Sequence, residues 1–145
     1  MFGTRIVNRL IYDTLAATAG VTAVVGTRIV RGTAYPQETQ LPALRFYPEQ
    51  GAYDQLPGPV ASAYLTAKTL RYVVAVDDAG TSDTRIAPAA EAQLAALAGL
   101  IVDTDDGHQV TFAALGEVPL TSYVDGDRIY QRLGTIYSVT VTRGG

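Results

Sequence analysis

Residues 70–102 read LRYVVAVD (70–77), DAGTSDT (78–84) and RIAPAAEAQLAALAGLIV (85–102), and the reading of this stretch decides the fold. Alternation puts Leu70, Tyr72, Val74 and Val76 on one face of a strand, while Val73 and Ala75 soften the other. A strand apolar on both sides belongs in the middle of a sheet and needs cover. The next segment can supply it, because Ile86, Ala90, Leu94, Leu97 and Ile101 recur at steps of four, four, three and four, one stripe of an α-helix. On this reading Leu94 lies in the core, so Leu94→Asp would leave an unpaired buried charge. Between strand and helix, Asp77, Asp78 and Asp83 read as solvated turn residues, with Ser82, Asp83 or Thr84 as the helix cap. Pro88 falls early in the helix, where its missing N–H matters least.

Toward the N-terminus, Thr4 can cap a helix whose positions Val7, Leu10, Ile11, Thr14 and Leu15 follow helical spacing, with Gly20 as a terminator. Val21 to Val25 is too short to classify by period. Gly26 ends it, and Thr27 to Arg31 reads as a short strand carrying Arg28 and Ile29. The loop GTAYPQETQLP (32–42) contains two prolines and should be irregular surface backbone. Leu44 and Phe46 then alternate with Arg45 and Tyr47 as a strand. Residues 48–62, PEQGAYDQLPGPVAS, hold three prolines and two glycines among few apolar side chains and cannot form a core element. Alternation resumes at Tyr64 and runs through Thr66, Lys68, Leu70 and Tyr72 to Val76. That exceeds the usual strand of about 5 to 6 residues. The less apolar outer part, YLTAKT, is therefore expected to project as a β-arm, with the proline loop at its tip (48–64).

Toward the C-terminus, Asp103 to Gly107 reads as a turn, Val110 to Leu115 and Val118 to Tyr123 as strands, and VDGD as a tight turn. In the final RIYQRLGTIYSVTVTR, Tyr137, Val139 and Val141 alternate with Ile136, Ser138 and Thr140, and Gly134 marks a bulge or a close backbone approach. No internal repeat occurs.

A chain of 145 residues, 48% hydrophobic and 17% charged, is the length and composition of one folded domain, 1–145. A net charge of -3 gives no basic footprint for gripping phosphates, so nucleic-acid binding by bulk electrostatics is disfavoured. Zero cysteines exclude disulfides and thiolate chemistry. No apolar run approaches the roughly 18 residues of a membrane span, and the arginines of MFGTRIVNRL lie inside the apolar pattern, so the expectation is a soluble, unprocessed chain without membrane partners.

Chemistry is sparse. The single histidine, His108, follows Asp103, Asp105, Asp106 and Gly107, but the spacing DTDDG is not D-x-D-x-D-G and the closing glutamate position is Ala114, so an EF-hand fails. GTSDT lacks the G-x-S-x-G elbow, and neither phosphate-binding glycine motif occurs. No catalytic, metal or cofactor residues are expected, and the chain does not read as an enzyme. A different feature stands out among the nine tyrosines: Tyr35, Tyr47, Tyr53 and Tyr64 cluster around the two proline-rich loops, where exposed aromatic rings beside irregular backbone suit a protein interface. The candidate interaction residues are Tyr35, Pro36, Gln37, Leu41, Tyr53, Leu56, Pro57 and Tyr64.

The order of elements, a helix, VTAVVGTRIV, a proline loop ending QLPALRFY, a long loop, a long strand, YVVAVDDAGTSDTRIAPAAEAQLAAL, and a terminal GTIYSVTV strand, resembles the tail-terminator or tail-completion proteins of long-tailed bacteriophages and phage-like particles. The resemblance covers nearly the whole chain. Its most telling pieces are Gly26, Arg28 and Ile29, then Pro36, Gln37, Leu41 and Pro42, then Tyr72 to Leu97.

The resemblance implies an α+β subunit, a mainly antiparallel sheet with two helices packed on it, that assembles as a ring, commonly a hexamer. That ring sits in the virion at the head-proximal end of the tail, after assembly in the host cytoplasm. It would cap the tail tube protein, stop tail growth and join the tail to the head–tail connector, with DNA passing through without sequence-specific binding. Two alternatives stay open: another neck component, a connector or stopper, or a small α+β ligand-binding or hydrolytic domain, for which the sequence displays no convergent polar groups. The alanines at 89, 92, 95, 96 and 98 either admit a second surface at close range or simply favour a solvated helix.

Overall fold

The computed structural model describes residues 4–36, 39–49, 67–119 and 122–143. The expected arm at 48–64 therefore lies outside the described residues, apart from Pro48 and Glu49.

Seven strands form one sheet in the order β1-β2-β3-β7-β5-β4, and β6 pairs with the free flank of β7. The elements run α1 (Thr4–Ala16), α2 (Ala19–Val25), β1 (Ile29–Arg31), β2 (Ala43–Pro48), β3 (Ala67–Ala79), α3 (Ala87–Leu97), β4 (Ile101–Asp103), β5 (His108–Glu117), β6 (Ser122–Asp125) and β7 (Arg128–Arg143). Among the described residues only β1 and β2 run parallel; the other pairs are antiparallel. This is an α+β domain with three helices among the described residues, one more than the two expected. The extra one is α2, whose seven residues are fewer than two helical periods and so carry no readable stripe.

The 70–77 strand is central, as its two-sided apolar pattern requires. β3 pairs with β2 over Asp77 to Tyr72 and with β7 over its whole length, Ala67↔Thr142 to Ala79↔Tyr130. Residues 67–69, the described end of the YLTAKT segment, are sheet bonded to β7. Leu70, Tyr72, Val74 and Val76 meet Val7, Ile11 and Leu15 of α1, Val21 and Val25 of α2, and Ile86, Ala89 and Leu97 of and beside α3 in one buried cluster, with Leu44, Phe46, Val110, Phe112, Tyr137, Val139 and Val141. All three helices therefore lie on one face of the sheet.

The α3 stripe differs from the expected one. Its buried residues are Ala89, Gln93 and Leu97, with Ile86 at the N-cap, whereas Leu94 is 40% exposed. Ile101 has left the helix for β4 and is 61% exposed. The reason is the neighbour across the helix. Gln93 Nε2 donates to Thr135 Oγ1 at 2.8 Å and Gln93 Oε1 accepts from the Tyr137 hydroxyl at 2.6 Å, so a polar residue with both ends satisfied turns inward and rotates Leu94 outward. Among the alanines, Ala89 is core, and Ala92 packs on α2: a Cβ added at Gly20 would sit 2.7 Å from the Ala92 Cβ. Gly20 lies inside α2 rather than ending α1, and it serves close helix packing. Ala95 and Ala98 are exposed.

Pro88 occupies the first turn as expected, but no side chain caps α3; Ser82 instead bonds Thr84, and Asp83 contributes its carbonyl to the N–H groups of Ile86 and Ala87. Gly134 makes the expected close approach: a Cβ there would lie 2.2 Å from the Val74 carbonyl oxygen and 2.8 Å from the Ala75 Cα. The register break sits across the ladder in β5, between Ala114 and Gly116.

Candidate functional site

Asp77 ends the alternation of β3 on the face away from the helices. It is not a solvated turn residue but fully buried, and Asp78 beside it is 5% exposed. Sheet register explains the placement. Asp77 stands opposite Ala43 on β2 and opposite Arg132 on β7; Arg45, two residues along β2, points the same way. Arg132 Nε donates to Asp77 Oδ1 at 2.8 Å and Arg45 Nε to Oδ2 at 3.3 Å. Two tyrosines complete the shell. The Tyr35 hydroxyl, from the proline loop, lies 2.7 Å from Oδ2 and 2.8 Å from the Ala43 carbonyl, and the Tyr123 hydroxyl, from β6, donates to Oδ1 at 3.2 Å.

The shell is tied further by its π faces. The Arg132 guanidinium carbon sits 4.5 Å from the Tyr123 ring centre, Tyr123 stacks on Tyr130 at 5.3 Å, and Arg45 lies 5.4 Å from the Tyr47 ring and 5.8 Å from that of Tyr35. Arg45 Nη1 also donates to the Thr33 carbonyl. Burial, then the Asp77 charge, push the Tyr35 hydroxyl far above its usual range, and the same two causes raise Tyr123. Burial alone would lower Arg132, but the Asp77 hydrogen bond and charge outweigh it and hold the guanidinium charged. Both tyrosines therefore keep their protons at neutral pH. A carboxylate accepting from four donors has no lone pair spare for a substrate, so the cluster is a clasp joining the 33–35 loop, β2, β3, β6 and β7.

Of the residues expected at an interface, the structure places three. Tyr35 is half-buried with its hydroxyl turned inward to Asp77; Pro36 is exposed; Leu41 is half-buried and its carbonyl accepts from Arg85 Nη2 at 3.4 Å. Gln37, Tyr53, Leu56, Pro57 and Tyr64 lie outside the described residues. Arg28 ties the same loop to the sheet, since its Nε donates to the Pro42 carbonyl at 2.8 Å while its own carbonyl accepts from the Leu44 N–H at 2.9 Å.

The acidic turn before His108 is closed on itself. Asp106 Oδ1 lies 3.0 Å from His108 Nδ1 and accepts from Thr104 Oγ1, and these two bonds, Thr104 first, lower the Asp106 carboxyl below its usual range. Among the described residues no three His, Cys, Asp or Glu side chains converge as a metal site. The turn and α1 border an open groove of about 620 Å³ with Arg5 and Arg9 on the helix side and Asp103, Asp105 and Asp106 opposite. A second groove, of about 230 Å³, runs between the outer side of α3 (Ala87, Ala90, Glu91, Leu94) and the paired end of β5 with the facing part of β7 (Glu117, Val118, Leu133, Gly134, Thr135). Exposed Leu115, Val124 and Ile129 lie on the strands beyond it. Among the described residues no helix is long and apolar enough to cross a membrane.

The fold thus defines an α+β domain with a helix-covered face and a second face closed by an ionic clasp. The same fold occurs in a chain of a solved structure described as the virion of a native gene transfer agent particle. The TM-score is 0.66 and the identity 16%, and the match covers 98% of this chain and 99% of that one. No protein-family model and no curated protein matches the sequence.

Proposed function

We propose that this chain is a structural subunit of a phage-like virion, and that within the particle it forms a ring on the tail tube that ends tail growth and joins the tail to the head connector. The observation that carries the coarser part is the shared fold along essentially the full length of both chains with a subunit of a gene transfer agent virion. Support for the finer part comes from the element order that resembles tail-terminator proteins, and from the site itself. The buried polar groups around Asp77 are spent on one another, an arrangement that holds shape and does no chemistry. The partners in this reading are further copies of the chain, commonly six, the tail tube protein and the connector, and the rim of Tyr35, Pro36 and Leu41 is the described part of the contact surface.

Tube subunits add to their own end by repeated identical contacts, so growth halts only where a different outer face is presented. Particles assembled without this protein should therefore carry tails of uncontrolled length, measured by electron microscopy, and should fail to join filled heads. Tails of normal length that merely lack heads would instead indicate a connector or stopper, and normal particles would overturn both.

A further inference from the structure

The last part of β5, Ala113 to Glu117, is exposed at every residue and is paired on one flank alone, with β7. β4 stops short of it. Its ladder with β5 ends at Thr111, and the last bonds on that side are those of Phe112, whose N–H donates to the Leu100 carbonyl at 2.9 Å and whose carbonyl accepts from the Gly99 N–H at 3.0 Å. Along an antiparallel strand every second residue aims its backbone groups the same way, so the N–H and C=O of Ala114 also point away from β7. Among the described residues no strand meets them there. The stretch has no proline and no charge before Glu117, and Leu115 on it is 52% exposed; of the devices that usually blunt an edge, it keeps the bulge between Ala114 and Gly116.

An open edge presents backbone donors and acceptors, and the chemistry that recognises them is another extended backbone. Residues 60–66, VASAYLT, have the composition for that role: no charge, no proline and no glycine, with valine, tyrosine, leucine and threonine among them. They lie outside the described residues and rejoin the fold at Ala67, and that point decides whose edge they can reach. Ala67 pairs with Thr142 and Ala114 with Tyr137, five positions apart on β7, which is about 17 Å along the strands. From β3 across β7 and β5 to the outer flank is three strand spacings, about 14 Å. The flank beside Ala114 is therefore about 22 Å from Ala67, whereas Tyr64, three residues before Ala67, reaches about 11 Å at full extension. A copy cannot lay 60–66 along its own β5 edge, but another copy can.

We propose that residues 60–66 of one copy add as a strand to the Ala113–Glu117 edge of the next. The alanines at 113 and 114 leave room at that edge for the larger side chains of the added strand. Donor and acceptor are different surfaces, so the contact is heterologous, the kind that closes a ring when the rotation between copies allows. The inference rests on the ring reading above and names the contact that would build it.

The absence of cysteine makes the test direct. Copies carrying Ser62→Cys, Ala63→Cys or Tyr64→Cys are mixed with copies of a different tag carrying Ala113→Cys or Ala114→Cys, at high concentration and in assembled particles, under mild oxidant, and the products are read by mass. A disulfide needs Cα atoms within about 7 Å, so a strand added at this edge yields a mixed dimer from at least one pair. A chain carrying both members of that pair should give a ladder of covalent multimers. In parallel, Ala114→Pro removes an outward N–H without touching the β7 ladder, and Leu115→Lys puts a charge on the edge; each should keep the wild-type urea midpoint and weaken association about tenfold. A disulfide closed within one chain, or an oligomer by native mass that gives no mixed cross-link or is unmoved by both edge variants, overturns this contact and leaves the ring reading standing. A wild-type chain that is monomeric at high concentration and within particles overturns both.

Discussion

The two faces of the sheet solve the same problem by different physics. On the helix side, Leu70, Tyr72, Val74 and Val76 are covered by three helices, and burial of apolar area does the stabilising. On the other side the described residues bury a small apolar group, Val73, Ala75 and Val118 flanked by Tyr47 and Ile136, together with the Asp77 clasp. An apolar contact tolerates approximate fits, but a buried carboxylate does not, because each lost partner leaves a charge out of water. The helix side supplies bulk stability, and the clasp fixes how the proline loop and the β6–β7 hairpin sit on the sheet.

The largest expected effect comes from breaking the clasp on one side. Asp77→Ala strands Arg45 and Arg132 and should cost about 3–5 kcal/mol in denaturant unfolding, as much as Phe112→Ala on the helix face, where a cavity of a whole ring opens. The two faces then separate on rescue. Replacing Asp77, Arg45 and Arg132 together by apolar residues of similar size should return stability to within about 1–2 kcal/mol of wild type, since the charges leave as a set. If the triple variant is no better than Asp77→Ala, the clasp is not an isolated electrostatic unit.

Next in size is Gly134→Ala, on β7 directly opposite Ala75 of β3. The new Cβ would meet backbone, the Val74 carbonyl, which cannot swing aside, so a loss of about 1–3 kcal/mol of unfolding free energy, read from urea unfolding, is expected. A neutral outcome would mean that β3 and β7 can part without disturbing Asp77.

A third measurement is alkaline unfolding. Folding raises the hydroxyl of Tyr137 to about 12, through burial, and raises that of Tyr35 as well. The folded values lie above the free value of about 10, so the unfolded chain releases these protons first. The stability they contribute is full below about pH 10 and is lost as pH rises through the folded values, at about 1.4 kcal/mol per pH unit for each group. Tyrosinate absorbance of these residues should appear only with unfolding; the more exposed Tyr123 contributes less, because solvent screens its charge. Tyrosinate appearing in folded protein would contradict the burial of both faces.

The smallest effect is expected at Leu94. The periodic stripe put it in the core, yet it stands 40% exposed on the outer side of α3. Leu94→Asp should therefore change stability by no more than about 0.5 kcal/mol, read as an unfolding midpoint close to that of the wild type. Unfolding of this variant would restore the stripe and cost the groove its place on the surface.

What the sequence determined by itself was whatever depends on near neighbours along the chain. The two-sided apolar run of 70–77 made β3 central, Pro88 marked the first turn of α3, and Gly134 marked either a bulge or a close approach, of which the structure shows the close approach. The tertiary structure alone decided the rest. Asp77 follows a valine and precedes turn residues, so locally it reads as solvated; Arg45, Tyr123 and Arg132 are brought to it by strand pairing and Tyr35 by the fold of the proline loop. Gln93 likewise looks like a surface residue until Thr135 and Tyr137 arrive from the far end of the chain and satisfy its amide. Buried polar groups are legible only with their partners, because burial without a partner is unfavourable and nothing in the local sequence says whether one will come.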